Sequence, residues 1–439
     1  MRLRLFARHA TACLISSVAL SGFVHAEDWP QWRGPHGDGI STAEKVPTKW
    51  TKTENVVWRT PLPGQGGATP AIVGGRIFVT SAEGNDLVLL FIEASDGKVM
   101  WKQKVTSGNQ DARAGEGNSA SPSPSTDGKH VWVFFSTGVL ACFDIEGKEV
   151  WKFDVGERFG KLDIQFGMTS TPTLDGEHLY LQLIHGPMRR DDNTRIGKVI
   201  KLDKLTGKTV WEVDRVTNVD FECKHSYASP FVYNHDGRKF LVVHGADCVT
   251  GHDMETGKEL WRLDELNGPA KFNTRQHDAT FRFVASPAVV KDWIIVPTAK
   301  AGPTVALKVD NALSGTKVAD SAAVKWSLPQ TPDVCIPLVS DGLVYNVHND
   351  GKLQCIELET GKEVYISRTH TAQHRSSPVL AGGHIYLCAR DGVVTVVKAG
   401  REFQIVSSND MGGEAITASP AIADGVLYLR TYDALYAIR

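Results

Sequence analysis

Lys224, His225 and Tyr227 stand close together in the stretch KHSYASP. All three are side-chain types that move protons. Further on, HDATFRFVASP adds His277 and Arg282, and AQHRSSP adds His374 and Arg375. An imidazole and a phenol supply a base and an acid, while a guanidinium forks onto a carboxylate or sulfate. With His225 or His374 as base, Tyr227 as acid and Arg282 as anion holder, the set suits a lyase acting on an acidic polysaccharide. Without bond cleavage, the same set binds a polar or anionic ligand. The histidine spacing matches no metal-ligand motif, and no metal is expected.

These segments share a position: each runs into a Ser-Pro pair. Eight markers of this kind are spread along the chain: Thr69-Pro70, Ser123-Pro124, Thr171-Pro172, Ser229-Pro230, Ser286-Pro287, the variant Ile336-Pro337, Ser377-Pro378 and Ser419-Pro420. After each comes an apolar strand with a Gly-containing turn, and most units close on a Gly-Lys turn and an aromatic, as in DIEGKEVW, KLTGKTVW and METGKELW. Gly supplies the positive φ of a tight hairpin, and the aromatic buries a flat surface against a neighbour. The closing aromatics are Trp101, Trp151, Trp211, Trp261, Trp326, Tyr365 and, for the seventh unit, Phe403. The last unit ends without one, and Trp58 in ENVVWRTPL stands ahead of the first marker. A ring closed by the N-terminal strand accounts for both ends and removes exposed sheet edges. About 50 residues per unit is the length of a four-stranded propeller blade. The expected fold is all-β: an eight-bladed β-propeller of four-stranded antiparallel blades, with seven blades as the alternative.

In such a ring the segments ahead of the markers converge on one mouth of the central channel, a concave polar site. They bring Glu116 and Asn118 from blade 2, Gln165 beside Asp163 from blade 3, and Lys224, His225 and Tyr227 from blade 4. Blades 5 to 8 add His277 and Arg282, Asp333, His374 and Arg375, and Glu414. Strand alternation aims His225 and Tyr227 one way and Lys224 the other.

The remaining features bound the setting. Net charge is -2 over 439 residues, which gives no electrostatic reason to expect a nucleic acid. Residues 1–26 read as a secretory signal: a start with Arg2, Arg4 and Arg8, a short apolar run and a small-residue site before Glu27. Export to the periplasm or beyond is expected, with no transmembrane segment. Residues 27–53 form an arm whose Trp29 and Trp32 pack on the propeller of residues 54–439, and the protein is expected to be a monomer. The cysteines lack CxxC spacing and read as buried thiols. GPMRRDDNTRIG, at 186–197, reads as a solvated loop, and the long segment at 298–322 as a mobile tip of blade 5.

The repeat resembles the pyrroloquinoline quinone-like repeat, Ala-x-Asp-x-x-Thr-Gly-x-x-x-Trp, carried most fully by LDKLTGKTVW and HDMETGKELW. That family includes quinoprotein alcohol dehydrogenases and outer-membrane assembly factors of the BamB type. The resemblance fixes a fold, which hosts many activities. A quinone enzyme of the family carries two adjacent cysteines and a Glu, Asn and Asp set around calcium, and neither is found in this chain. No cofactor is therefore expected. With the export signal and the polar ring of the mouth, the expected role is an exported propeller that binds a glycan or an envelope protein there without catalysis; the alternatives are a polysaccharide lyase or a quinone-dependent dehydrogenase.

Overall fold

The computed structural model describes residues 27–113, 115–186, 195–217, 219, 221–315 and 318–439. Residues 1–26, read from sequence as a secretory signal, and most of the charged segment at 186–197 lie outside these residues. Eight sheets of four antiparallel strands follow one another along the chain. The first seven blades span 71–107, 125–154, 173–217, 231–263, 288–328, 338–368 and 379–410. The eighth takes three strands from 421–438 and its fourth from Val56–Pro61, which pairs with Ala434–Ile438. The N-terminal strand thus closes an eight-bladed ring, and the seven-blade alternative falls. Among the described residues no helix is long and apolar enough to cross a membrane.

The markers have a job that their sequence does not announce. In six of the eight, the hydroxyl ahead of the proline accepts the marker N–H of the preceding blade: Thr69 N donates to Ser123 Oγ (3.0 Å), Ser123 N to Thr171 Oγ1 (3.1 Å), Thr171 N to Ser229 Oγ (2.8 Å) and Ser229 N to Ser286 Oγ (2.8 Å). The relay skips Ile336, which has no hydroxyl, and resumes from Ile336 N to Ser377 Oγ and from Ser377 N to Ser419 Oγ, both 3.0 Å. Thr69 Oγ1 then returns a bond to Ser419 O. Ser229→Ala leaves the buried Thr171 N–H unpaired and is expected to lower unfolding stability by about 1–3 kcal/mol. Urea unfolding of the variant measures this, and an unchanged midpoint would contradict a load on the relay.

At the rim, five of the six closing tryptophans, all but Trp261, donate to a carbonyl in the turn of the next blade. Trp58 Nε1 reaches Ala94 O (2.8 Å), Trp101 reaches Ile145 O (2.9 Å), Trp151 reaches Lys204 O (3.0 Å) and Trp326 reaches Leu358 O (2.7 Å). The turn glycine lies flat on that indole. A Cβ on Gly97 would come within 2.6 Å of Trp58, and one on Gly257 within 2.7 Å of Trp211. The glycine therefore answers two demands, positive φ and close approach. Each outer strand also carries a β-bulge beside its aromatic position, which pushes Val57, Met100, Val150, Val210, Leu260 and Val406 outward. Bulges spoil an edge for pairing with another sheet.

Two expectations need correction. Phe403 does not close blade 7. It sits in the turn against Tyr365, with ring centroids 5.5 Å apart, and the register position of the aromatic holds Ser407. Trp50 of the arm takes that role: it is buried against Tyr386, and the strand around Ser407 and Asn409 binds it through Trp50 N to Asn409 Oδ1 (3.0 Å) and Ser407 Oγ to Thr48 O. The long segment of blade 5 is not a free tip. Val309, Leu313 and Val318 are buried in the core shared with blade 4, and Gly315 bonds the backbone on both sides of Trp261.

The arm crosses the end of the channel opposite the mouth. Trp29 is fully buried and pairs with Ile72, Pro30 O accepts from Thr126 N, and Gln31 Oε1 accepts from Leu174 N. Arg33 is buried with its guanidinium on Pro378 O and Asp38 O, and Gly39 and Ser41 pair with Leu380. Trp32 is only partly buried, tilted against Phe231 at 6.2 Å.

Candidate binding site at the channel mouth

The third residue before each marker proline turns toward the axis. These eight positions are Gly67, Ser121, Thr169, Tyr227, Val284, Val334, Arg375 and Thr417, and together they line one cavity of about 320 Å³. Ala112, Arg113, Glu116, Gly117, Phe166, Arg282, Lys300 and Asp333 complete its wall.

An aromatic ring with cations on it is the centre of the site. The guanidinium carbons of Arg282 and Arg113 lie 5.0 and 5.4 Å from the Phe166 ring centroid, and Tyr227 packs on the same ring at 6.1 Å. Arg282 is ion-paired with Glu222, and Lys300 with Asp278. Glu116 faces three guanidinium groups, at 3.2 Å from Arg375, 3.7 Å from Arg390 and 3.9 Å from Arg113. Asp333 accepts the Lys300 amide at 2.8 Å. The cavity surface itself presents Arg113, Arg282, Lys300 and Arg375 against Glu116 and Asp333, with Glu222 and Asp278 standing behind two of the cations. Arg113 is exposed, and among the described residues its one ion pair is the long contact to Glu116. It is the cation most available to a ligand.

Of the residues singled out from sequence, the structure brings Tyr227, Arg282, Glu116, Asp333 and Arg375 together in this wall. It places the others elsewhere. His225 is fully buried with Nε2 on Gly186 O at 2.6 Å. The expected alternation of His225 with Tyr227 fails because Phe221–Lys224 is a 3-10 turn, not a strand. Lys224 is buried in that turn. His374 is buried with Nδ1 on Ala372 O (3.1 Å). Burial lowers both imidazoles below their ordinary value, His374 to about 4. Neither histidine lines the cavity. Asn118 braces blades 1 and 2 through Gln65 O (2.9 Å), while Gln165 and His277 are exposed outside the wall.

Glu414 belongs to the ring closure. Lys52 (2.7 Å), Arg59 (3.3 Å), Tyr436 Oη (3.0 Å) and Thr431 Oγ1 (2.7 Å) all bind its carboxylate. Burial pushes this carboxyl up, and hydrogen bonds from Lys52, Thr431 and Tyr436 more than offset it, leaving it below its ordinary value. A depressed folded-state value stabilises the fold above the unfolded value and is lost as pH falls through it. Glu414→Gln is expected to lower stability at pH 7 by about 1.5–3 kcal/mol, the range for hydrogen bonds to a charged group, since the carboxylate is buried while Lys52 and Arg59 stay partly exposed. The deficit should shrink in acid, where the wild-type carboxyl is protonated as well. Unfolding at both pH values measures the difference.

Sequence reasoning missed Phe166, Arg113, Arg390, Lys300 and Glu222. Phe166 stands in DIQFG next to the selected Gln165, and only its distance from the marker told the two apart. Tyr227 is a poor acid-base group as placed. Its phenol oxygen is buried without a partner among the described residues, and burial raises its pKa further above the ordinary value.

Fold and mouth define an eight-bladed propeller with a cationic, aromatic pocket on its axis. A family model described as outer membrane protein assembly factor BamB matches residues 42–181, 136–399 and 249–439. The chain belongs to that family. It is 24% identical over 400 residues to the outer membrane protein assembly factor BamB of Burkholderia pseudomallei, covering 89% of this chain and 90% of the relative. It is also 24% identical over 270 residues to a polyvinylalcohol dehydrogenase of a Pseudomonas species, 53% of this chain but 40% of that enzyme. Among solved structures, BamB from Moraxella catarrhalis superposes with a TM-score of 0.62 at 16% identity, covering 88% of this chain and 99% of that one. A europium-containing methanol dehydrogenase superposes at 0.67 and 12% identity, covering 93% and 90%. These structures share the fold.

The enzymes among them raise the question of a metal-bound quinone. Glu116, Glu222 and Asp278 are each held by cations, and Asp333 by a backbone amide. Among the described residues no group of three His, Cys, Asp or Glu is placed to hold a metal. The six described cysteines are buried and unpaired. The residues present do not fit such a centre.

Proposed function

We propose that this protein is an exported, non-catalytic binding propeller that holds an anionic ligand at the channel mouth, an acidic glycan before all. The observation that carries this is the Phe166 ring flanked by Arg113 and Arg282 inside a cavity of about 320 Å³. A sugar ring stacks its C–H face on an aromatic while its carboxylate or sulfate takes a guanidinium. Catalysis needs a proton acceptor of suitable pKa within reach of the ligand. His225 and His374, the candidate bases, are buried away from the wall, which supports binding without turnover. Family membership favours a second reading, in which the anionic group belongs to an acidic segment of an envelope protein.

Calorimetric titration with oligogalacturonate and with a sulfated oligosaccharide tests the proposal, with ultraviolet absorbance followed for unsaturated products. Saturable binding and a flat absorbance are expected. Growing absorbance would replace binding by a lyase, and no heat with either sugar would sink the glycan reading. Dye reduction after addition of the quinone and calcium would restore the dehydrogenase alternative.

A further inference from the structure

At the end of the channel covered by the arm, the second residue after each marker proline points its backbone N–H and C=O at the axis. The arm satisfies these groups one blade at a time. Trp29 takes both groups of Ile72 in blade 1 at 2.7 Å, Pro30 O takes Thr126 N of blade 2, and Gln31 takes Leu174 N of blade 3. After a turn through Arg33 and Gly37, Gly39 and Ser41 take Leu380 of blade 7. In blade 8, Ile422 is fully buried in the core on which Ala43 and Val46 pack. Among the described residues the arm bonds no axial group of blades 4, 5, 6 or 8, and since blade 8 lies under Ala43 and Val46, three consecutive blades are left open. Among the described residues none bonds the axial N–H or C=O of Val232, Val289 or Val339. All three line a second cavity, of about 620 Å³, between the inner strands of blades 3 to 6 and the arm.

The walls of this cavity state what would fill it. Trp32 and Phe231 give it an apolar side. Asp38, Asp175 and Asp341 face a single lysine, Lys291, and Asp175 is already paired with Lys239 at 2.7 Å. Lys291 and Asp341 are exposed, so the rim is open to solvent. Backbone donors and acceptors spaced one blade apart suit an extended chain: Trp29 pairs with blade 1 through both backbone groups, Pro30 with blade 2 through its carbonyl, and Gln31 with blade 3 through its side-chain carbonyl.

We propose that this cavity is a peptide-binding site, in which an extended segment of a partner protein carrying a basic side chain continues the arm's path across blades 4, 5 and 6. The peptide amides bond Val232, Val289 and Val339, and its cation lies between Asp38 and Asp341. The site is separate from the glycan pocket at the mouth, so the two proposals stand or fall apart.

The probe is the capped hexapeptide Gly-Val-Lys-Val-Lys-Gly, titrated into full-length protein labelled with ¹⁵N-valine, with an N-methylated copy and a Val-Glu-Val-Glu copy as controls. Saturable shifts of the Val232, Val289 and Val339 amides are expected, together with at least tenfold weaker binding of both controls. Asp341→Lys, an exposed change that leaves the core intact, should weaken the lysine peptide by a similar factor. Val289→Pro removes one axial N–H outside the ladder and should weaken it further. Unmoved valine amides at saturating peptide, or equal binding of the N-methylated copy, would overturn the proposal.

Discussion

Arg113→Met is expected to weaken binding of an acidic oligosaccharide at the mouth by roughly 10- to 100-fold, because a hydrogen bond to a charged group contributes about 1.5–3 kcal/mol. Arg113 is chosen because the other guanidinium groups of the wall are already engaged. Arg282 pairs with Glu222, and Arg375 bonds both Glu116 and Asn349. Arg113 meets Glu116 only at 3.9 Å and leans on Phe166. A second variant, Phe166→Leu, removes the stacking face while keeping the cations, and should cost less than Arg113→Met and respond less to salt. Gln165→Ala and His277→Ala are exposed changes outside the wall and should bind as the wild type does. Calorimetric titration in low and moderate salt distinguishes these outcomes. An Arg113→Met protein with wild-type affinity would remove the carboxylate from this site.

Trp58→Ala is expected to cost about 3–5 kcal/mol of unfolding free energy, the range for truncating a buried large aromatic. Trp58 lies on the strand that closes the ring, so it couples blade 8 to blade 1. Its indole packs on Tyr428 at 6.0 Å, carries Gly97 on its face and donates to Ala94 O. Gly97→Val should reach a comparable loss from the partner side, through both the clash with the indole and a φ of 73° that a β-branched residue resists. Combining the two should cost less than their sum, since both break the same contact. Denaturant unfolding of the single and double variants measures this. Full additivity would mean that indole and glycine do not act as one seam.

The fold was legible because its punctuation is covalent and local. The Ser-Pro and Thr-Pro pairs, the Gly-Lys turns and the tryptophans recur at intervals that only a ring of blades accommodates. The site was legible in part, and the reason is geometrical. A residue faces the axis by its distance from the marker proline, and the third position back is the one that does so in every blade. Tyr227 and Arg375 are the large polar residues at that distance, and both were selected. His225 and His374 were selected for their chemistry, but they stand at other distances, where the chain turns inward to backbone carbonyls. Two-residue alternation could not order them, because the segment ahead of Ser229 is a 3-10 turn followed by a single bridge. Glu414 was out of reach for another reason: its partners Lys52 and Arg59 come from the far end of the chain, and only ring closure brings them near. The same holds for Trp50, which fills the place left by Ser407 in blade 7.

The hydroxyl relay has an electrical consequence. Its six N–H to Oγ bonds all run in one rotational sense, each from one blade to the next. Dipoles laid head to tail around a circle largely cancel at its centre, whereas those of a helix add along its axis. The relay therefore projects little field of its own into the channel. The potential met by an approaching anion comes from side chains such as Arg113, Arg282 and Lys300, none of which belongs to the relay. Sign and selectivity at the mouth can change one residue at a time while the ring beneath stays electrically silent.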